Sequence, residues 1–368
     1  MNYQKLVYTT SGQVRVWHQD TSLIVVLPPG YASLSTGRIG GGYRIDLNAV
    51  FNHQVQADNG NRHRLEGGSV TAYLQIVAKR LSLSPDMVSG ILTAADMNNA
   101  AIAVQAFRDV EVVAVVTAGV EVNGGRAGDP ASYYQEDETT THIGTINTIL
   151  IISASLPPET MARAIMTAAE AKAVALQQLM VPSHYSHGIA TGSGTDDIVI
   201  LSDTTHPTVL TDAGKHAKLG ELIARATIEA TTKALYLQSD ISPVTQCDMM
   251  RRLERFGIDE QRYWSVATTL SGANKRDLFI RRLREMSKDP RLVSVCCAVL
   301  HLADEVSWGV IPLVSAQKSA FFFMKDLSDL IGADNALPMD ILYHEREPII
   351  DNWIRVSAWV FKNGWITG

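Results

Sequence analysis

A chain of 368 residues is long for one core and suits two domains, and its 46% apolar fraction is enough to exclude a disordered or fibrous protein. The net charge of −6 comes from Lys and Arg interspersed with Asp and Glu, with no basic stripe to neutralise phosphates, so no nucleic-acid partner is expected. Only three cysteines occur, Cys247, Cys296 and Cys297, with no CxxC pair, which argues against a disulfide framework or a zinc knuckle.

Residues 1–27 lack the basic, apolar and small-residue order of a signal peptide, and no apolar run reaches the length of a membrane span. A cytoplasmic protein with no membrane partner is the expectation. From the N-terminus, short β-branched runs at 23–27, 112–116, 148–153 and 198–201 read as strands of a buried sheet. Asp96, Asn98 and Asn99, between the first two, read as turn formers. Pro157-Pro158-Glu159 opens a helix that runs to about Met180, with Met161, Ile165 and Ala168 on one face. Asp212 is placed to cap a further helix in which Leu219, Leu222, Ile223 and Ala226 repeat at helical spacing. Strands interleaved with helices predict a layered α/β sandwich-like core. The character of the chain changes near Asp240-Ile241-Ser242-Pro243. Beyond it, segments at 249–256, 275–286, 292–303 and 320–331 alternate charged and apolar residues at helical period, and five of the six tryptophans fall there. The expected division is an α/β domain over 1–240 and a mostly helical domain over 241–368.

Polar residues gather in three glycine-bearing segments of the first domain. The run 116–130 sets Glu121, Asn123, Arg126 and Asp129 among glycines that let backbone approach a ligand closely; the alternative is a surface turn in which Arg126 and Asp129 pair. The run 142–150 places Thr145, Asn147 and Thr148 where an apolar strand begins, although threonine is also an ordinary strand residue. The run 190–200 carries Thr191, Ser193, Thr195 and Asp196. Its TGSGTD sequence precedes a strand and lacks the P-loop lysine, so it is no nucleotide cradle, but its hydroxyls, amides and carboxylate suit an amide or its oxyanion. Lys218 and Glu221 read as an exposed ion pair. His184 and His187 have helical ligand spacing but sit in a loop without a carboxylate partner, so no protein metal site is expected. Thr139-Thr140-Thr141 reads as a loop, and no GxSxG elbow or Cys/His/Asn arrangement is present.

Taken in order, these segments resemble the adenosylcobinamide amidohydrolase family. The resemblance rests on Thr117-Ala118-Gly119, Asn123, Gly125-Arg126-Ala127-Gly128-Asp129 and Gly144-Thr145-Ile146-Asn147-Thr148. It continues through Glu170-Ala171-Lys172, Ala190-Thr191-Gly192, Gly194-Thr195-Asp196 and Lys218-Leu219-Gly220-Glu221, spanning about 23–237. It implies a corrin-borne amide as substrate, cleaved from its aminopropanol arm to give adenosylcobyric acid. It requires no cofactor, since the cobalt enters with the corrinoid small-molecule substrate. A fainter resemblance, from Asn147-Thr148 to Gly194-Thr195-Asp196-Asp197, is to the ornithine acetyltransferase and L-aminopeptidase superfamily, where a Thr or Ser at a strand start becomes the nucleophile after autocleavage. On that analogy Thr148 is the nucleophile; read from the residues themselves, its neighbour Asn147 can donate to an oxyanion, and Glu121, Asp129 and Asp196 are the carboxylates available to activate water if Thr148 is only structural. Asn123, Arg126, Asp129, Thr145, Thr191, Ser193 and Thr195 are then the substrate-binding candidates. A non-catalytic corrinoid carrier or sensor is the competing expectation, and a pocket too small for a corrin ring would favour another amide.

Overall fold

The computed structural model describes residues 4–55, 65–131 and 145–365, which pack as two units, Met1–Ser242 and Pro243–Gly368. The first unit contains, in chain order, β1 (Gln4–Thr9), β2 (Arg15–Gln19), β3 (Ser22–Val26), β4 (Tyr31–Ser35), β5 (Gly42–Arg44) and β6 (Ala49–Gln54). Then come α1 (Val70–Arg80), β7 (Val88–Thr93), β8 (Ala101–Phe107), β9 (Val110–Ala118), β10 (Gly124–Gly125) and β11 (Ile146–Ile152). Last are α2 (Pro158–Gln178), β12 (Gly192–Ser193), β13 (Ile198–Asp203) and α3 (Lys218–Ser239).

Two mixed sheets form. One has the order β1-β2-β3-β6-β7 and the other β5-β4-β13-β11-β9-β8, while β10 and β12 make a separate two-stranded ribbon. Within the six-stranded sheet β11 runs parallel to β13 and antiparallel to β9. Alternate side chains of a strand serve opposite faces, and three apolar clusters show what each face meets. Val112, Ala114, Val116, Ile146 and Leu150 pack against Ala164 and Ala168 of α2 and Ile223, Ala226 and Ala230 of α3. On the opposite face Val113, Val115, Ile149 and Val199 meet Val16, Val25 and Val50 of the five-stranded sheet. The outer face of that sheet, through Ile24, Ala49, Phe51 and Val88, is covered by Leu74, Val77 and Ala78 of α1. The layers are therefore helix, sheet, sheet, helix. Every residue of β11 is buried because the strand is central in its sheet and covered on both faces, as a continuous β-branched run requires.

The α/β class and the four strands read from the sequence are present, and α2 starts at the Pro157-Pro158 step as expected. Asp96 caps a single 3-10 turn by accepting from the Asn98 amide at 2.8 Å. One expectation is corrected. Asp212 does not cap α3; its Oδ1 accepts from the Gly214 amide at 2.8 Å and closes a turn, and Ala217 stands at the helix start. The turn then runs so close to the helix that a Cβ on Gly220 would collide with the Gly214 carbonyl oxygen. The reading of 139–141 as a loop, and the residues 142–144 of the second glycine-bearing segment, lie outside the described residues.

The second unit has α4 (Met249–Leu253), α5 (Glu260–Thr269), α6 (Arg276–Met286), α7 (Pro290–Ser307), α8 (Leu313–Met324), α9 (Leu327–Ile331), α10 (Met339–Leu342) and α11 (Ile349–Asn363), with no strand among its described residues. Buried Trp353, Trp359 and Phe361 of α11 anchor a core that also takes Tyr263, Phe279, Leu283 and Leu300. Arg255, almost wholly buried, is satisfied by a two-pronged pair with Asp304, both bonds 2.7 Å. No helix among the described residues is long and apolar enough to cross a membrane.

Candidate active site

The first and third glycine-bearing segments meet directly. Gly124 pairs with Ser193 and Gly125 with Gly192 across the β10–β12 ribbon, and the Thr191 amide donates to the Gly125 carbonyl at 2.9 Å. Thr191 Oγ1 in turn accepts from the Ala127 amide at 2.9 Å. The loop 182–189 braces the ribbon, the His184 amide donating to the Gly124 carbonyl at 2.9 Å. Together these segments wall a cleft of about 460 Å³ lined by Asn123, Arg126, Asp129, Tyr185, Thr191, Ser193 and Asp196, with Lys172 reaching it from α2.

At one wall of the cleft lies a buried ion pair. Lys172 Nζ contacts Asp196 Oδ2, and the two side chains keep only 10% and 9% of their exposure. Asp196 is held from several sides. Oδ1 accepts from Ser193 Oγ at 2.6 Å and from the Ile146 amide at 2.8 Å, while Oδ2 also accepts from the Ser193 amide at 2.9 Å. A charge this far from water is tolerable only when paired and hydrogen-bonded, and this one is both. The pair also dictates its neighbour: a Cβ on Gly192 would collide with Asp196 Oδ2 and stand 2.8 Å from Lys172 Nζ. Asp197, next along, has its carboxyl raised by burial and by the Asp196 charge, against the opposing pull of a 2.7 Å bond from Thr36 Oγ1 and the charge of Arg38.

Asp129 forms the other charged wall. Burial works to raise its carboxyl, but hydrogen bonds from Ser183, Ser186 and the Arg126 amide, with the Arg126 charge, hold it below the usual carboxylate range. Arg126 and Asp129 therefore meet through backbone rather than only as the surface pair considered from the sequence. The Arg126 side chain lies along the backbone of Gly188, and Tyr185 lies over Gly125, its ring about half exposed at the rim.

The second segment sits behind this cleft, and most of its polar groups point elsewhere. Thr145 Oγ1 donates to the Thr195 carbonyl at 2.6 Å and so fixes the 190s loop from below; Thr195 itself is exposed. Asn147 faces the interior between the two sheets, where its Nδ2 donates to Asn52 Oδ1 at 2.8 Å and to the Leu92 carbonyl at 3.0 Å. Asn52 passes the chain of bonds on to Thr117 Oγ1 at 2.8 Å. Thr148 faces the helices between Ile146 and Leu150, 1% exposed, and its hydroxyl has no hydrogen-bond partner among the described residues. The alternation of the strand thus sends these two neighbours to opposite faces, and neither lines the cleft. Glu121 is exposed and bonded to Ser239 Oγ at the end of α3 and to the Val120 amide at 2.9 Å. The cleft is therefore built by two of the three glycine-bearing segments, with the remaining one as its support.

Lys172, which the sequence presents only as part of Glu170-Ala171-Lys172, is the cation of this site. Its signal was present: it falls four residues after Ala168 and three before Ala175, on the alanine stripe by which α2 packs, where a lysine is out of place without a partner. His184 Nε2 lies 3.1 Å from the Val120 carbonyl, and no group of three or more His, Cys, Asp or Glu among the described residues is placed to hold a metal ion.

Comparison with known proteins supplies a context for this cleft. The sequence pattern of a family described as adenosylcobinamide amidohydrolase matches residues 5–243. The uncharacterized protein MJ1613 of Methanocaldococcus jannaschii is 36% identical over 182 residues, which are 46% of this chain and 71% of that protein. Among solved structures, the PH0078 protein of Pyrococcus horikoshii OT3 is similar at 12% identity and a TM-score of 0.30, over 64% of this chain and 80% of that one. An L-aminopeptidase D-Ala-esterase/amidase of Ochrobactrum anthropi, described as a variant of the Ntn-hydrolase fold, is similar at 13% identity and a TM-score of 0.32. That match covers 70% of this chain and 86% of the other.

Proposed function

The chain belongs to the adenosylcobinamide amidohydrolase family, and from that premise we propose that it cleaves the amide between the corrin side chain and the aminopropanol arm of adenosylcobinamide, giving adenosylcobyric acid. The observation that carries this reading is the buried Lys172–Asp196 pair, with Ser193 bonded to it, opening onto the cleft walled by two of the family's segments. Amide cleavage needs an activated oxygen nucleophile, a stabilised oxyanion and a proton for the departing nitrogen. Asp196 is a carboxylate held in fixed orientation beside a hydroxyl, and Lys172 brings a positive charge and protons to the same spot.

At about 460 Å³ the cleft lies toward the lower part of the usual range for small-molecule sites, roughly 300–1,000 Å³. It suits the side arm carrying the scissile amide, with the corrin ring resting across the mouth against Tyr185 and Arg126. Asn123, Asp129, Thr191 and the ribbon backbone are then positioned for the arm's amide and hydroxyl groups. The cobalt stays in the corrinoid as part of the substrate.

Incubation of the protein with adenosylcobinamide, followed by chromatography, tests the reading. Adenosylcobyric acid and free aminopropanol in equal amounts are expected, with Asp196→Asn losing turnover by about a hundredfold or more. Tight corrinoid binding without product would replace the enzyme by a carrier or sensor, and no binding with hydrolysis of smaller amides would replace the substrate.

A further inference from the structure

We propose that Ser193 is the nucleophile of this hydrolysis and that the Lys172–Asp196 pair moves both protons the reaction requires. The proposal rests on reading the cleft as the amide-cleaving site. Its starting point is that one carboxylate holds both partners: Ser193 Oγ donates to Oδ1 at 2.6 Å, and Lys172 Nζ contacts Oδ2. The serine proton is therefore already directed at its acceptor. The ammonium sits on the other oxygen of the same group, with its nine-tenths buried side chain facing the cleft that contains the serine.

The reaction passes through the neutral form of this pair, Lys–NH2 with Asp–COOH. Ser193 Oγ attacks the amide carbon and its proton passes to Asp196. Lys172 gives a proton to the nitrogen, the carbon–nitrogen bond breaks, and the aminopropanol amine departs, leaving an ester on Ser193. Transfer of the proton from Asp196 to Lys172 then restores the ion pair. Water attacks the ester in the second half, giving its proton to Asp196; Lys172 returns one to Ser193 Oγ as the carbon–oxygen bond breaks. The same internal transfer resets the site. The sum is amide plus water to acid plus amine, with no other reactant.

A purely structural pair accounts for less of what is seen. Well-packed apolar side chains of equal volume would hold α2 to the ribbon as firmly as a buried ion pair does. The pair borders an open cleft rather than a closed core.

Three measurements on the full chain test this. Hydroxylamine added to the wild-type reaction with adenosylcobinamide traps the ester as a corrinoid hydroxamate; only the free acid at every hydroxylamine concentration overturns the covalent step. Ser193→Ala is expected to lose at least about a thousandfold in turnover with corrinoid binding retained, and activity within about tenfold of wild type overturns the nucleophile assignment. Lys172→Arg keeps the charge but not a transferable proton. It is expected to lose about a hundredfold or more on the amide yet less than about tenfold on the ester of adenosylcobyric acid with propanediol, whose leaving oxygen depends less on protonation. Equal losses on amide and ester overturn the acid role and leave Lys172 a positioning residue. If the arginine does not fold, the trapping and serine results decide the proposal. A wild-type protein that binds adenosylcobinamide without cleaving it removes the underlying reading itself, a result distinct from an active Ser193→Ala or Lys172→Arg variant.

Discussion

Thr148 illustrates how one position in a strand separates two functions that the sequence leaves together. It follows Asn147, and a hydroxyl beside an amide reads as a nucleophile beside an oxyanion donor. The pleat divides them: Asn147 is bonded to Asn52 and Leu92 between the sheets, while the Thr148 hydroxyl is packed under α2 and α3 without a partner among the described residues. A buried hydroxyl with nothing to bond costs stability, and valine fills the same shape without that cost. Thr148→Val is therefore expected to leave turnover within about tenfold of wild type and to stabilise the fold by up to about 1 kcal/mol. Steady-state kinetics and a urea melt read both quantities. A variant that is folded and binds corrinoid but shows no turnover would return Thr148 to the role of nucleophile.

At the level of elements, the join between the five-stranded sheet and α1 is titratable. His53 on β6 lies 2.7 Å from Ser22 Oγ of β3 through Nδ1 and 3.1 Å from the Tyr73 hydroxyl of α1 through Nε2. Burial, aided by the Arg80 charge, pushes its imidazole down to about 4. An unfolded histidine titrates near 6.5, so between about 6.5 and 4 the unfolded chain binds the proton that the native state refuses. The stabilisation is complete above that window and is lost as pH falls through it, by at most about 3 kcal/mol. Urea midpoints taken at pH 7 and pH 4.5 should therefore diverge more for the wild type than for His53→Gln. The same divergence in both proteins would show that other groups carry the acid sensitivity.

For the molecule as a whole, the apolar clusters of the two units share no residue among the described ones. Those of the first unit end at Ile241, which packs against the α2–α3 core, and that of the helical unit begins at Cys247. A chain ending at Ser242 keeps Ile241 and every residue named in the cleft. We expect it to fold cooperatively and to retain the wild-type rate of amide cleavage, with circular dichroism and the chromatographic assay as the checks. A folded fragment that has lost cleavage would assign the helical unit a part in the reaction.

Several features were decided by the sequence itself, because local physics fixes them. The β-branched runs of β9, β11 and β13 have no other stable use than a doubly covered sheet, the Pro157-Pro158 step opens α2, and the helical period beyond Pro243 gives a helical unit. The segments 117–129 and 190–196 were legible as a site because glycines among polar groups mark backbone kept open for close approach. What the sequence could not decide was which polar groups face the same space. Lys172 and Asp196 are separated by 24 positions and meet only because α2 crosses the sheet beside the β10–β12 ribbon. Asn147 and Thr148 are adjacent in the chain and are parted by the alternation of the strand. Facing depends on register and layer order, which are set by the burial of every strand at once and so exist only in the folded chain.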